Sequence, residues 1–155
     1  MNILHVEDSL SDHVMLRELF RLASSDTAFE GEEIRFTHVT SLRKAKDVYD
    51  SSNFDFVLLD VELPDSCGVE SISEFLTGTR SAATVVVLTG HANFKAAYEA
   101  GLRGAMGYLS KDTSEDQKIC GCKCALGIAE RRKIDRDNFK SLALGALKEF
   151  KECLK

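Results

Sequence analysis

Acidic, hydroxyl and ammonium side chains stand where short apolar runs of this chain end. Ile3 to Val6 leads into Glu7-Asp8, Phe54 to Leu59 into Asp60, Thr84 to Leu88 into Thr89, and Met106 to Leu109 is closely followed by Lys111. Carboxylates gathered at one point repel one another unless a cation joins them. A hard divalent ion such as Mg²⁺ meets that need, because it takes carboxylate oxygens while keeping waters and positions open for phosphate. Lys111 then suits a point-charge role beside a carboxylate or phosphate, and Thr89 that of a neutral donor. An Asp beside a metal and a Lys can attack phosphorus, giving an acyl phosphate whose charge the metal and Lys share. Each residue taken singly also reads as a solvated turn residue or a helix cap. Their recurrence at separate run ends is what points to chemistry.

That chemistry requires the runs to be strands whose ends meet. With Ile34 to Val39 they make five β-rich segments. Phe56-Val57-Leu58-Leu59 and Val85-Val86-Val87-Leu88 are apolar at every position, which suits strands buried on both faces of a parallel sheet. Helical spacing fills the gaps: Val14, Leu16, Leu19, Phe20 and Ala23; Ala45 to Tyr49; Val69, Ile72, Phe75 and Leu76; Phe94 to Leu102. Strictly alternating strands and helices predict a doubly wound α/β layer, in which function sits at the carboxyl ends of the strands.

A long helix is expected over Ser114 to Lys133, closed by Glu130-Arg131-Arg132-Lys133. A further amphipathic segment follows, with Phe139, Leu142, Ala143, Leu147, Phe150 and Leu154 on one stripe. This divides the chain into a domain over 1–133 and a helical extension over 134–155. The stripe should bury against the domain, a second copy or a partner.

Composition limits the setting. The 155 residues carry 20 basic and 25 acidic side chains, with 44% apolar and 29% charged, which fits one globular domain. The acidic balance argues against direct nucleic-acid binding or an anionic membrane surface. No run approaches the roughly 18 apolar residues of a membrane span. Five cysteines, an odd count, behind an N-terminus without a basic leader predict a cytoplasmic protein with reduced thiols.

Four motifs carry a resemblance. Val6-Glu7-Asp8-Ser9, Val57-Leu58-Leu59-Asp60-Val61-Glu62-Leu63-Pro64-Asp65-Ser66-Cys67-Gly68, Val87-Leu88-Thr89-Gly90 and Gly107-Tyr108-Leu109-Ser110-Lys111-Asp112 resemble two-component response-regulator receiver domains over about 1–133. The resemblance implies a flavodoxin-like doubly wound five-stranded parallel sheet with flanking helices. It implies that Asp60 is the phosphoacceptor and that Glu7, Asp8, Asp60 and the backbone carbonyl of Glu62 hold Mg²⁺ or Mn²⁺. Thr89 and Lys111 would bind the phosphoryl group, Tyr108 would be the aromatic switch, and Glu62 and His91 would tune the phosphoryl lifetime. A histidine kinase or histidine phosphotransferase would be the donor, a downstream protein effector the recipient, and a homodimer a further assembly. The Leu-Pro-Asp-Ser-x-Gly loop and the closing Glu-Arg-Arg-Lys are similar to receivers found beside sensor kinases and diguanylate cyclases.

Asp112 departs from the pattern, since many receivers have proline after the lysine; a cis bond is therefore not expected there. Cys120, Cys122 and Cys124 suggest a thiolate metal site, but helical spacing sends Cys122 roughly opposite the other two and favours core packing. Two other functions compete with the phosphorylated receiver. One is an aspartate-dependent phosphatase of the haloacid dehalogenase type, which needs an Asp where Glu62 stands. The other is a receiver-shaped binding module that is never phosphorylated, against which the complete acid, Thr and Lys set counts.

Overall fold

In the computed structural model the described residues are 1–25, 31–79, 83–90 and 94–153. Five parallel strands form the sheet: β1 (Asn2–Val6), β2 (Arg35–Val39), β3 (Phe56–Asp60), β6 (Val85–Thr89) and β7 (Gly107–Ser110), in the order β2-β1-β3-β6-β7. The short strands β4 (Glu62–Leu63) and β5 (Ser66–Cys67) make a small antiparallel hairpin just past β3. Helices α1 (Leu10–Ser24), α2 (Leu42–Ser51), α3 (Glu70–Gly78), α4 (Phe94–Leu102) and α5 (Glu115–Cys153) complete the layers. This is the doubly wound parallel architecture that the alternation of periods implies.

Side-chain alternation along the strands divides the core in two. Ile3, Phe56, Leu58, Val86 and Leu88 pack against α1 and α5 through Leu16, Phe20, Cys122 and Leu126. Leu4, Val57, Leu59, Val85 and Val87 face α2, α3 and α4 through Leu42, Tyr49, Ile72, Phe75 and Ala100. β3 and β6 are buried at every position. With both faces covered, β3 and β6 are apolar up to their last residues, Asp60 and Thr89.

Local signals set the helix starts. Ser9 caps α1 by accepting from the Asp12 amide at 3.2 Å. Ser114 and Gln117 form a reciprocal capping box at the start of α5. Asp65, on the β4–β5 turn, accepts from the Leu42 and Arg43 amides at 2.9 and 3.0 Å. It thereby ties the hairpin to the N-terminus of α2, and these amide bonds outweigh burial and hold its carboxyl below the usual range. Gly68 leaves the hairpin at φ +74, a conformation that favours glycine.

The structure corrects three expectations. Val14 is 57% exposed; His13 is the buried member of that turn of α1. The helix expected to end at Lys133 continues unbroken to Cys153, because the polar stretch Asp135–Asn138 contains no residue that stops a helix. Ala129 is the last residue of α5 in the core, and residues 131–144 are all exposed. Phe139 and Leu142, at 72% and 73% exposure, therefore do not pack on the chain's own domain. The side chains of Leu147, Phe150 and Leu154 fall outside those described. The cysteine array behaves as helical geometry requires. Cys122 lies in the core with its thiol pushed up to about 12 by burial, while Cys120 and Cys124 are exposed.

Leu58→Ala should cost about 3 kcal/mol in urea denaturation, because it opens a cavity between the sheet and α5. Phe139→Ala should change the stability of the monomer by less than about 0.5 kcal/mol. A large loss at Phe139 would show that its side chain packs on something.

Candidate functional site

Parallel register brings the ends of β1, β3, β6 and β7 to one rim. Glu7 and Asp8 follow β1, Asp60 closes β3, Thr89 closes β6, and Lys111 follows β7. The Lys111 amide donates to the Thr89 carbonyl at 2.8 Å, which carries the ladder past the strand end and aims the lysine inward.

Its ammonium reaches three carboxylates. Lys111 Nζ lies 2.6 Å from Asp60 Oδ2, 2.5 Å from Glu7 Oε2 and 3.0 Å from Asp12 Oδ2. Asp60 and Glu7 are almost wholly buried, at 2% and 1% exposure. The other Asp60 oxygen accepts from the Glu62 amide at 2.8 Å, and Glu7 Oε1 from the Ser9 amide at 3.0 Å. The ammonium is close enough to Glu7 Oε2 to pair with it, yet the angle misses hydrogen-bond geometry, so that buried oxygen has no aligned donor.

The charges respond to this crowding. Burial raises the Glu7 carboxyl to about 7, and the charge of Asp60 adds to the rise against the pull of Lys111 and the Ser9 amide. Burial opposes the ammonium of Lys111, but its close contacts with the carboxylates of Asp60, Glu7 and Asp12 outweigh that and raise its basicity. Three carboxylates against one ammonium leave an excess of negative charge.

Glu7, Asp8 and Asp60 offer oxygens that all lie within 4.8 Å of one another, with Asp8 exposed at the mouth. Hard carboxylate donors, a charge deficit and an unaligned buried oxygen on Glu7 all suit Mg²⁺ or Mn²⁺. Glu62 is an exposed residue of β4 two positions after Asp60. Thr89 is buried at the rim. Tyr108, on β7, borders a cavity of about 170 Å³ together with Ala97, Ala100 and Met106. His91 lies outside the described residues. The Lys111–Asp112 bond is trans.

Sequence reasoning missed Asp12 and a histidine group. Asp12 looks like an ordinary first-turn acid of α1, and nothing in its spacing announces a lysine 99 positions away. His5 and His38 are register partners on β1 and β2. His13 Nδ1 lies 2.8 Å from His5 Nδ1, and its ring stacks on His38 at 4.0 Å and 6°. Burial, with the nearby charges of His13, His38 and Lys111, lowers His5 to about 3, and burial with His38 and Arg17 lowers His13 to about 4.

The response regulator receiver domain profile matches residues 10–120. Among solved structures the chain is similar to the signal receiver domain of a LuxO repressor protein from Vibrio parahaemolyticus. That match has 21% identity and a TM-score of 0.69, covering 87% of this chain and 94% of that one. It is also similar to the beryllofluoride-activated NtrC4 receiver domain dimer, at 26% identity and TM-score 0.62, over 83% of this chain and 98% of that one. A CheY-like response regulator receiver protein from Methanospirillum hungatei JF-1 matches at 18% identity and TM-score 0.63, covering 84% and 97%. No curated protein matches the sequence. Among the described residues no helix is long and apolar enough to cross a membrane.

Acidification tests the buried groups in the metal-free protein. His5 and His13 stay neutral in the fold yet bind protons in the unfolded chain below about 6.5, so falling pH destabilises the fold through them. Glu7 acts oppositely between about 7 and its ordinary 4.5, since the fold holds its proton and the unfolded chain does not. Two histidines against one carboxyl should make stability fall by roughly 1 kcal/mol per pH unit between pH 6 and 5. The double variant His5→Leu/His13→Leu should reverse that slope.

Proposed function

This chain belongs to the response-regulator receiver domain family of two-component signalling, and from that premise we propose that Asp60 is its phosphoacceptor. The observation that carries the proposal is the buried Asp60 carboxylate, held by Lys111 on one oxygen and the Glu62 amide on the other. A carboxylate oxygen of Asp60 attacks the phosphorus of a phosphohistidine on a histidine kinase or histidine phosphotransferase. The new P–O bond forms as the P–N bond breaks, and the imidazole leaves. Glu7, Asp8, Asp60 and the Glu62 carbonyl would hold Mg²⁺, which supplies charge neutralisation for the phosphoryl oxygens.

The chain's own groups supply the rest. Lys111 already stands against Asp60 and neutralises the acyl phosphate. Thr89 donates to a phosphoryl oxygen, and Glu62 and His91 border the path of hydrolytic water. The added charge and acceptor oxygens draw Thr89 and Lys111 toward the phosphoryl group. Tyr108 then turns into space vacated behind Thr89, beside the cavity under α4. The readout is the face of α4, β7 and α5, where Phe94, Tyr98, Leu102 and Met106 are exposed. A protein effector and a second copy of the chain are the partners we propose, with 1–133 as the receiver and 134–155 as its extension.

Intact mass after incubation with acetyl phosphate and Mg²⁺ tests this reading. A persistent gain of one phosphoryl group is expected, and Asp60→Asn should abolish it while leaving the fold intact. Turnover without an adduct would favour a phosphatase, and no reaction would favour an unphosphorylated module. Asp8→Ala should weaken Mg²⁺ binding sharply in an NMR titration. Thr89→Ala should still accept the phosphoryl group but lose the chemical-shift changes over α4, β7 and α5.

A further inference from the structure

The histidine group lies directly beside the acid pair of β1. Within it, His38 Nε2 stands 2.6 Å from the backbone carbonyl of Glu7. A carbonyl oxygen only accepts, so His38 carries its proton on Nε2 and donates it there. Glu7 is the first residue beyond β1, where a carbonyl loses its regular ladder partner. Its amide is still held, donating to the Val39 carbonyl at 2.9 Å. With His38 on the carbonyl and the Ser9 amide on Oε1, both backbone groups and the side chain of Glu7 are restrained.

The His38 ring is itself held. It stacks on His13 from α1, and His13 in turn shares a proton with His5 on β1, at 2.8 Å. Phe36 meets His5 and His13 edge-on. The ring therefore sits against packed neighbours at the sheet edge rather than swinging in solvent.

We propose that His38 is a positioning residue for the metal-binding acids, acting through its hydrogen bond to the Glu7 carbonyl. It orients the Glu7-Asp8 turn so that both carboxylates face Asp60. The proposal rests on the reading that Glu7, Asp8 and Asp60 bind Mg²⁺.

Mg²⁺ titration of the full chain, followed by amide NMR, tests it with His38→Phe and His38→Gln. Phe keeps a flat ring but no donor; Gln keeps a donor at similar reach. His38→Phe should bind Mg²⁺ about fivefold more weakly, the scale of one lost hydrogen bond, and His38→Gln should return most of the affinity. Equal affinity of His38→Phe and wild type, or equal weakness of both variants, overturns the proposal. In unsubstituted protein, ring-nitrogen shifts should show His38 protonated on Nε2; protonation on Nδ1 alone overturns it without any variant. A wild type that fails to bind Mg²⁺ overturns the metal-site reading, and this proposal with it.

Discussion

The ammonium of Lys111 is the interaction on which the rest of this structure depends. It sits 14% exposed among Glu7, Asp60 and Asp12, two of them buried carboxylates that could not stay charged in an apolar interior without it. The balance is incomplete by design of the site: one ammonium cannot neutralise three carboxylates, and burial holds Glu7 near half-protonation at neutral pH. What remains is an excess of negative charge at the rim, where Glu7, Asp8 and Asp60 could hold a further cation.

Holding four strand ends in register is what the fold does for that ammonium. β3 and β6 are buried along their whole length, so their polar residues are confined to their last positions, Asp60 and Thr89. The Lys111 amide extends the β6–β7 ladder by one bond to Thr89. Asp65 works from the other side, fastening the β4–β5 hairpin onto α2 and so fixing the turn whose Glu62 amide holds Asp60. Rigid elements thus place each group of the rim, while Phe94, Tyr98 and Leu102 of α4 stand exposed.

Much of this was legible in the residues. Two wholly apolar runs indicate a covered parallel sheet, and run ends at Glu7-Asp8, Asp60, Thr89 and Lys111 mark the rim. The tail shows where periodicity falls short. The stripe from Phe139 onward implies a partner for that face, but it cannot distinguish the chain's own domain from another molecule. Nor does a change of pattern near Lys133 break a helix, because residues 130–144 contain neither Gly nor Pro.

Sequence by itself determined the elements, their order, the two-faced burial of the central strands and the chemical types at their ends. These follow from local periodicity and from the wholly apolar runs of β3 and β6, which reach a polar residue only at Asp60 and Thr89. Only the tertiary structure decided which of those groups touch. Asp12 joins Lys111 because α1 leaves β1 at an angle that brings its first turn over the rim, and 99 residues separate the pair. His5, His13 and His38 stack because β1 and β2 pair in register while α1 crosses above them. Contacts between distant segments depend on packing angle and strand register, quantities that no local pattern of residues encodes.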